Sequence, residues 1–361
     1  HGTSKEGRYT LNLVSLPLHC PQDGGVPLIH RVYPGNVQDA GHFKDQHKRI
    51  LERLNQLQLD PQQVRLIFDK GNIGEDAIKG IIKATLKLIC SVRPSTQKDL
   101  REILAQDFEL QELPNGKKVG IKEFEREFHG SVQRLIVCFN PKKQIWTGRN
   151  KIKKLVGKLV EIEDWFHGDT KRLNVKKWRL AENVTKKIEA VLGKSYLPYV
   201  NWSVKGDDGE IEYQISINDQ FLIEELEKLG KSYFTTNDPD LDAIEIVWLY
   251  RQQCTVERAF DLLKGPELLR VRPIFHSTDS SIRGHIFSCV LGLLLVTLLN
   301  RELSHLFPEM GFQEMLEALE DIKVAQIAFN PETIKYKLVT NSVNAEKIEK
   351  KLQFNKIIKK K

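Results

Sequence analysis

Cysteine is scarce in this sequence: Cys20, Cys90, Cys138, Cys254 and Cys289 are the only five in 361 residues, and no two form a C-x-x-C pair. That spacing excludes a disulfide framework and a cysteine-rich zinc module, and it fits a reducing, cytoplasmic setting. Long apolar runs are missing too. The longest, Ile286 to Leu299, has 14 residues and is interrupted by Ser288, Gly292 and Thr297. It falls short of the ~20 residues that cross a bilayer, so it predicts a buried core helix and no membrane partner. There is no internal repeat and no low-complexity tract apart from a lysine-rich tail. The opening residues, His1-Gly2-Thr3-Ser4-Lys5, lack the basic, apolar and small-residue zones of a signal peptide. What is present is 40 % hydrophobic, enough for a globular core in two or three structural units, which excludes disorder and a fibrous repeat.

Charge is unevenly spread. The net charge is +7, yet residues 346–361 alone hold seven lysines against two glutamates. Residues 142–194 hold 15 Lys/Arg against 6 Asp/Glu, so the remainder of the chain is acidic. A charged chain end usually reads as a solvated tail. The middle segment is more informative, because Trp146, Trp165 and Trp178 are interleaved with its basic residues. Lys142, Lys143, Arg149, Lys151, Lys153, Lys154, Lys171, Arg172, Lys176, Lys177 and Arg179 would neutralise phosphates, and an exposed indole could stack on an unpaired base. The competing reading makes the tryptophans core residues of this block.

Hydrophobic periodicity predicts an α/β fold. Tyr9–Leu18 and Val26–Tyr33 read as paired strands around Pro21-Gln22-Asp23-Gly24-Gly25. Phe43, Ile50, Leu51, Leu54 and Leu57 mark a helix that closes near Pro61, and Val64–Phe68 reads as a buried strand ending at Asp69. A helix over about 75–86 and a strand over 88–92 continue a β-α-β rhythm. Asn115-Gly116 and Asp208-Gly209 mark two hairpins within a block that runs to about Lys231 and looks inserted. Strand 232–236 then leads into one long helix, Ala243 to Lys264, capped by Asp240 or Asp242, and a second helix spans Ile282 to His305.

Asp69 ends an apolar strand, where loops bring functional groups to a sheet edge, although Asp before Lys-Gly is also ordinary turn chemistry. On a continuous helix Tyr250, Glu257 and Lys264 would stand at i, i+7 and i+14 on one face, beside an apolar stripe of Val256, Phe260 and Leu263. A carboxylate there needs a metal ion or a cation, and Arg258, Lys264 and Arg270 are the alternative partners for Glu257.

Gly2-Thr3-Ser4-Lys5-Glu6-Gly7-Arg8, Gly25-Val26-Pro27-Leu28, Gly35-Asn36-Val37-Gln38-Asp39 and Phe68-Asp69-Lys70-Gly71-Asn72 resemble segments of the DDE-type insertion-sequence transposases. So do Thr235-Thr236-Asn237, the Tyr250, Glu257 and Lys264 series, Leu269 to His276, and Ile282-Arg283-Gly284-His285-Ile286, which look like the strand and the tyrosine, arginine, glutamate, lysine signature of that family. The resemblance spans about residues 1–300. It implies a ribonuclease-H-like mixed sheet flanked by helices and interrupted by a large α+β insertion before the last catalytic helix. The implied division is 1–93 for the first part of the core, 94–231 for the insertion, 232–305 for the last strand and catalytic helices, and 306–361 for an appendage.

The same resemblance implies a two-metal site for Mg²⁺ or Mn²⁺, with Asp69 and Glu257 as catalytic, metal-binding carboxylates. Tyr250, Arg251, Lys264, Lys176, Lys177 and Arg179 would contact double-stranded DNA, both transposon ends and target, in a complex that admits a homodimer. The implied location is a prokaryotic cytoplasm, in association with the nucleoid. Two departures stand out. Gln253 occupies the place of the signature arginine, with Arg251 two residues earlier. The family's first aspartate lies upstream of the Gly-x-Ser-Lys segment with which this chain opens, so residues are expected to have been lost there. Asp23 and Asp39 read as turn or capping residues. The expectation is therefore transposase ancestry with DNA binding and no turnover. The alternatives are a non-catalytic DNA-binding remnant of a mobile element and a plain ribonuclease-H-like nuclease.

Overall fold

A computed structural model of the chain describes residues 13–22, 24–35, 46–69, 75–167, 180–206, 211–265, 268–330, 333–354 and 356. The chain divides into two compact units, one made of residues 1–36 with 254–361 and the other of residues 37–253.

The first unit opens with two short antiparallel pairs, β1 (Val14–Ser15) with β4 (Tyr33–Pro34) and β2 (Leu18–His19) with β3 (Ile29–His30). The turn between them needs two successive positive φ angles, 72° at Gly24 and 65° at Gly25, which glycine adopts at little cost. Among the described residues, the paired strands expected on either side of this turn are present as these short pairs.

The second unit is built on a six-stranded mixed sheet. Helix α1 (Gln46–Gln56) precedes strand β5 (Arg65–Phe68), helix α2 (Glu75–Lys83) crosses over, and β6 (Lys87–Ser91) returns parallel to β5. Strands β7 (Leu110–Glu112), β8 (Lys118–Phe128) and β9 (Ser131–Phe139) follow as a meander, with Gly116 at φ 74° in the first hairpin. The 27-residue helix α3 (Pro141–His167), helix α4 (Ala181–Leu192), the β10 (Val200–Lys205) and β11 (Glu212–Ile217) hairpin and helix α5 (Asp219–Glu227) come next. Strand β12 (Lys231–Thr236) then closes the sheet in the order β5-β6-β12-β9-β8-β7, antiparallel to both neighbours.

Alternation along β9 divides the core. Ile136 and Cys138 face one side with Ile89, Val119 and Phe234, under Ile246 and Val247 of helix α6 (Ala243–Arg251). Leu135, Val137 and Phe139 face the other side with Val92, Leu100, Phe108 and Tyr233. Residues 141–217 keep a separate core around Leu155, Ile162, Val184, Ile188 and Leu192. Residues 110–139 thus belong to the central sheet, beside β12.

The chain re-enters the first unit at α7 (Cys254–Lys264) and α8 (Asp279–Leu306), which pack Ala259, Leu263, Cys289 and Leu293 on Leu18 of the N-terminal hairpin. Helix α9 (Phe312–Glu320), the β13 (Ile322–Asn330) and β14 (Thr333–Thr340) hairpin and α10 (Val343–Leu352) follow around Met315 and Ile348. Helix α8 is longer than its apolar run, and by length and composition it suffices to cross a membrane, although such a helix is weak evidence of one. It is the buried core helix expected on one side only. Ile286, Val290 and Leu293 are buried, whereas Phe287, Leu291, Leu295 and Leu299 are exposed.

Candidate functional site

Asp69 directly follows β5 at the C-terminal edge of the parallel β5 and β6 pair. The register pairs Phe68 with Cys90, so the next residues out, Asp69 and Ser91, meet at the edge. The Ser91 hydroxyl donates to Asp69 Oδ1 at 2.6 Å. The Tyr250 hydroxyl, from the last turn of α6, donates to the same oxygen at 3.2 Å. Tyr250 reaches that point because its ring packs on Phe234 of β12, centroids 4.5 Å apart. Burial, with the Asp69 charge adding to it, pushes the Tyr250 hydroxyl up to about 12, so it remains a donor at neutral pH. Sequence reasoning missed Ser91. Only the pairing of β5 with β6 could have pointed to it.

Helix α6 is aimed by a polar lock after β12. Asp242 is its N-cap: its Oδ1 accepts from Glu245 N at 2.7 Å, and Glu245 returns the bond to Asp242 N at 3.0 Å. Asn237 prolongs the ladder by side chain, accepting from Leu88 N at 2.8 Å and donating to Leu86 O at 3.1 Å. Asp238 is fully buried, paired with Arg65 at 2.5 Å and Lys87 at 3.1 Å. Burial opposes its charge, but the Asp240 N–H and the two cations outweigh burial and hold the carboxyl below its ordinary value. Arg134 donates to the backbone carbonyls of Asp238 and Leu241, both at 2.7 Å.

The long helix expected over 243–264 is two helices. Gln252 N and Gln253 N bond back three residues, to Leu249 O and Tyr250 O, so α6 tightens and stops before α7 begins at Cys254. The i, i+7, i+14 argument consequently fails for Tyr250, which lies on α6, and stands only for Glu257 and Lys264, which share α7. The two carboxylates also belong to different compact units, Asp69 to 37–253 and Glu257 to the other. Glu257 is exposed and makes no ion pair among the described residues, and Lys264 lies over the Phe260 ring at 5.4 Å. Arg251 is half-buried, with its guanidinium 3.9 Å from Cys138 Sγ. Asp23, Asp39, the Lys70-Gly71-Asn72 turn, Lys171, Arg172, Lys176, Lys177, Trp178 and Arg179 lie outside the described residues.

The donors gathered at Asp69 are all oxygen, a carboxylate and two hydroxyls, which is the chemistry suited to a hard divalent cation. Among the described residues no group of three or more His, Cys, Asp or Glu side chains stands together as a metal site. Comparison with protein-family models, with curated proteins and with solved structures finds no match to this chain.

Proposed function

We propose that this chain is a DNA phosphoryl-transfer protein of the insertion-sequence transposase type, with the mixed sheet of residues 65–236 as a ribonuclease-H-like core. The observation that carries the reading is the Tyr250 to Asp69 hydrogen bond. Two motifs 181 residues apart, singled out separately in the sequence, meet at one sheet edge, and neither motif requires the other.

In this reading Asp69 would supply carboxylate oxygens to Mg²⁺ or Mn²⁺ at the sheet edge, the role the resemblance also gives to Glu257. Bound metal would activate a water or a DNA 3′-hydroxyl and stabilise the departing oxygen. Ser91 and Tyr250 hold Asp69 Oδ1 in a fixed direction, and Lys264 offers an exposed cation to the DNA backbone. A pair of divalent ions in this chemistry needs more carboxylates than the two named, so these residues are expected to bind DNA without cutting it. The test combines Mn²⁺ titration, followed by loss of the free-ion paramagnetic resonance signal, with nicking of supercoiled DNA. Binding of Mn²⁺ that Asp69→Asn weakens supports the site. Nicking abolished by Glu257→Gln would show an active enzyme in which another group, such as Asp39, completes the set. Mn²⁺ binding indifferent to Asp69 would sink the metal assignment and leave the non-catalytic DNA-binding reading.

A further inference from the structure

We propose that the outward face of α3 formed by Lys142, Trp146, Arg149 and Lys153 is a docking surface for DNA with unpaired bases. Spacings of four, three and four residues place these side chains within one narrow arc of the helix. All four are exposed, and the Trp146 indole is 68 % exposed, an unusual position for the largest apolar side chain. Trp165, by contrast, is half-buried and set edge-on against Phe166 with ring centroids 5.1 Å apart, as a packing residue should be.

Among the described residues the cations on this face are uncompensated. No acidic residue occurs between Pro141 and Val160, and Lys142, Arg149 and Lys153 make no salt bridge among the described residues. Other lysines of the helix are occupied: Lys151 pairs with Glu225 at 3.4 Å, and Lys158 donates to Val191 O. From Lys142 to Lys153 the helix rises about 16 Å, enough to follow several phosphates of one strand. An indole set among these cations offers a stacking plane that a base inside a duplex cannot use. Ile145 and Ile152, both exposed beside this face, add apolar contact for sugars and bases.

The choice of DNA rests on the reading proposed above; the cationic and aromatic geometry does not. The experiment is fluorescence anisotropy of the full chain with a labelled oligothymidine of about 20 nucleotides, and with a duplex of equal length, at two salt concentrations. Trp146→Ala is expected to weaken single-strand binding about tenfold while changing duplex binding little, and Trp146→Phe to restore part of the loss. Arg149→Glu with Lys153→Glu should weaken both probes and flatten the salt dependence. These positions are exposed, so an unchanged circular dichroism spectrum and melting temperature verify the fold. Wild-type failure to bind oligothymidine, or equal affinity in all variants, would overturn the proposal. So would a self-associated chain that becomes monomeric in Trp146→Ala with DNA affinity unchanged, which would make this face a protein interface. Mn²⁺ binding, read on the same variants, reports on the Asp69 site separately.

Discussion

Asp238 is the residue on which the approach of α6 to the sheet edge depends most directly. Removing the charge while keeping the shape, as in Asp238→Asn, leaves Arg65 and Lys87 facing a neutral amide in a buried place. We expect a loss of about 3 kcal/mol in urea unfolding at neutral pH. Its folded pKa is depressed, so the stabilisation is present above the ordinary carboxylate range and fades as pH falls through the folded value; the gap between wild type and variant should close in acid. Lys231 gives a pH dependence of the same sign in a higher window, for a different reason. Its ammonium, buried at the start of β12, donates to Arg101 O and Ile103 O, and burial brings its pKa from 10.5 down to about 8. Between those values the unfolded chain holds the proton more tightly, so stability should rise with pH from about 8 towards 10. A denaturation series in which wild type lacks that rise, or Lys231→Met retains it, would contradict the assignment.

Glycines test packing at the scale of single elements. A Cβ at Gly120 in β8 would meet Phe108 Cβ at 2.4 Å, in the core beneath the stacked Phe108 and Phe139 rings. Gly120→Ala should cost about 1–3 kcal/mol, because neither backbone nor ring can move aside freely. Gly157, inside α3, has nothing within 4 Å of its Cβ position. Gly157→Ala should instead stabilise by about 0.5–1 kcal/mol through helix propensity, a difference of sign that thermal melts of the two variants would show. The break between α6 and α7 has no such local cause. Gln252-Gln253-Cys254 contains neither proline nor glycine, and the helix stops where residue 253 ends one compact unit and residue 254 begins the other.

At the scale of the molecule, the unit 37–253 is contiguous and contains the complete six-stranded sheet with both of its cores and the helical core of 141–217. Expressed alone, residues 37–253 should therefore unfold cooperatively in urea, and a broad, non-cooperative transition would contradict that independence. Residues 254–361 should be less stable by themselves, because Leu18 on the N-terminal hairpin completes the packing of Ala259, Leu263, Cys289 and Leu293.

Local pattern alone determined a good deal. Alternation and apolar runs located β5, β6 and β12; Asn115-Gly116 located a hairpin; Asp240 or Asp242 marked the start of α6, and the structure chose Asp242; Asp69 was legible as a strand-end carboxylate. Each of these depends on neighbours a few residues away, where side-chain periodicity and backbone preference act. The tertiary structure decided what distant segments share. Pairing β5 with β6 set Ser91 against Asp69, and packing on Phe234 brought Tyr250 to them across 181 residues. Sheet order drew residues 110–139 into the core sheet, and burial separated Trp146 from Trp165 although both stand in the same basic helix. The reason is physical: periodicity states which face of an element is apolar, whereas register, helix breaks and exposure follow from which other surface that face meets.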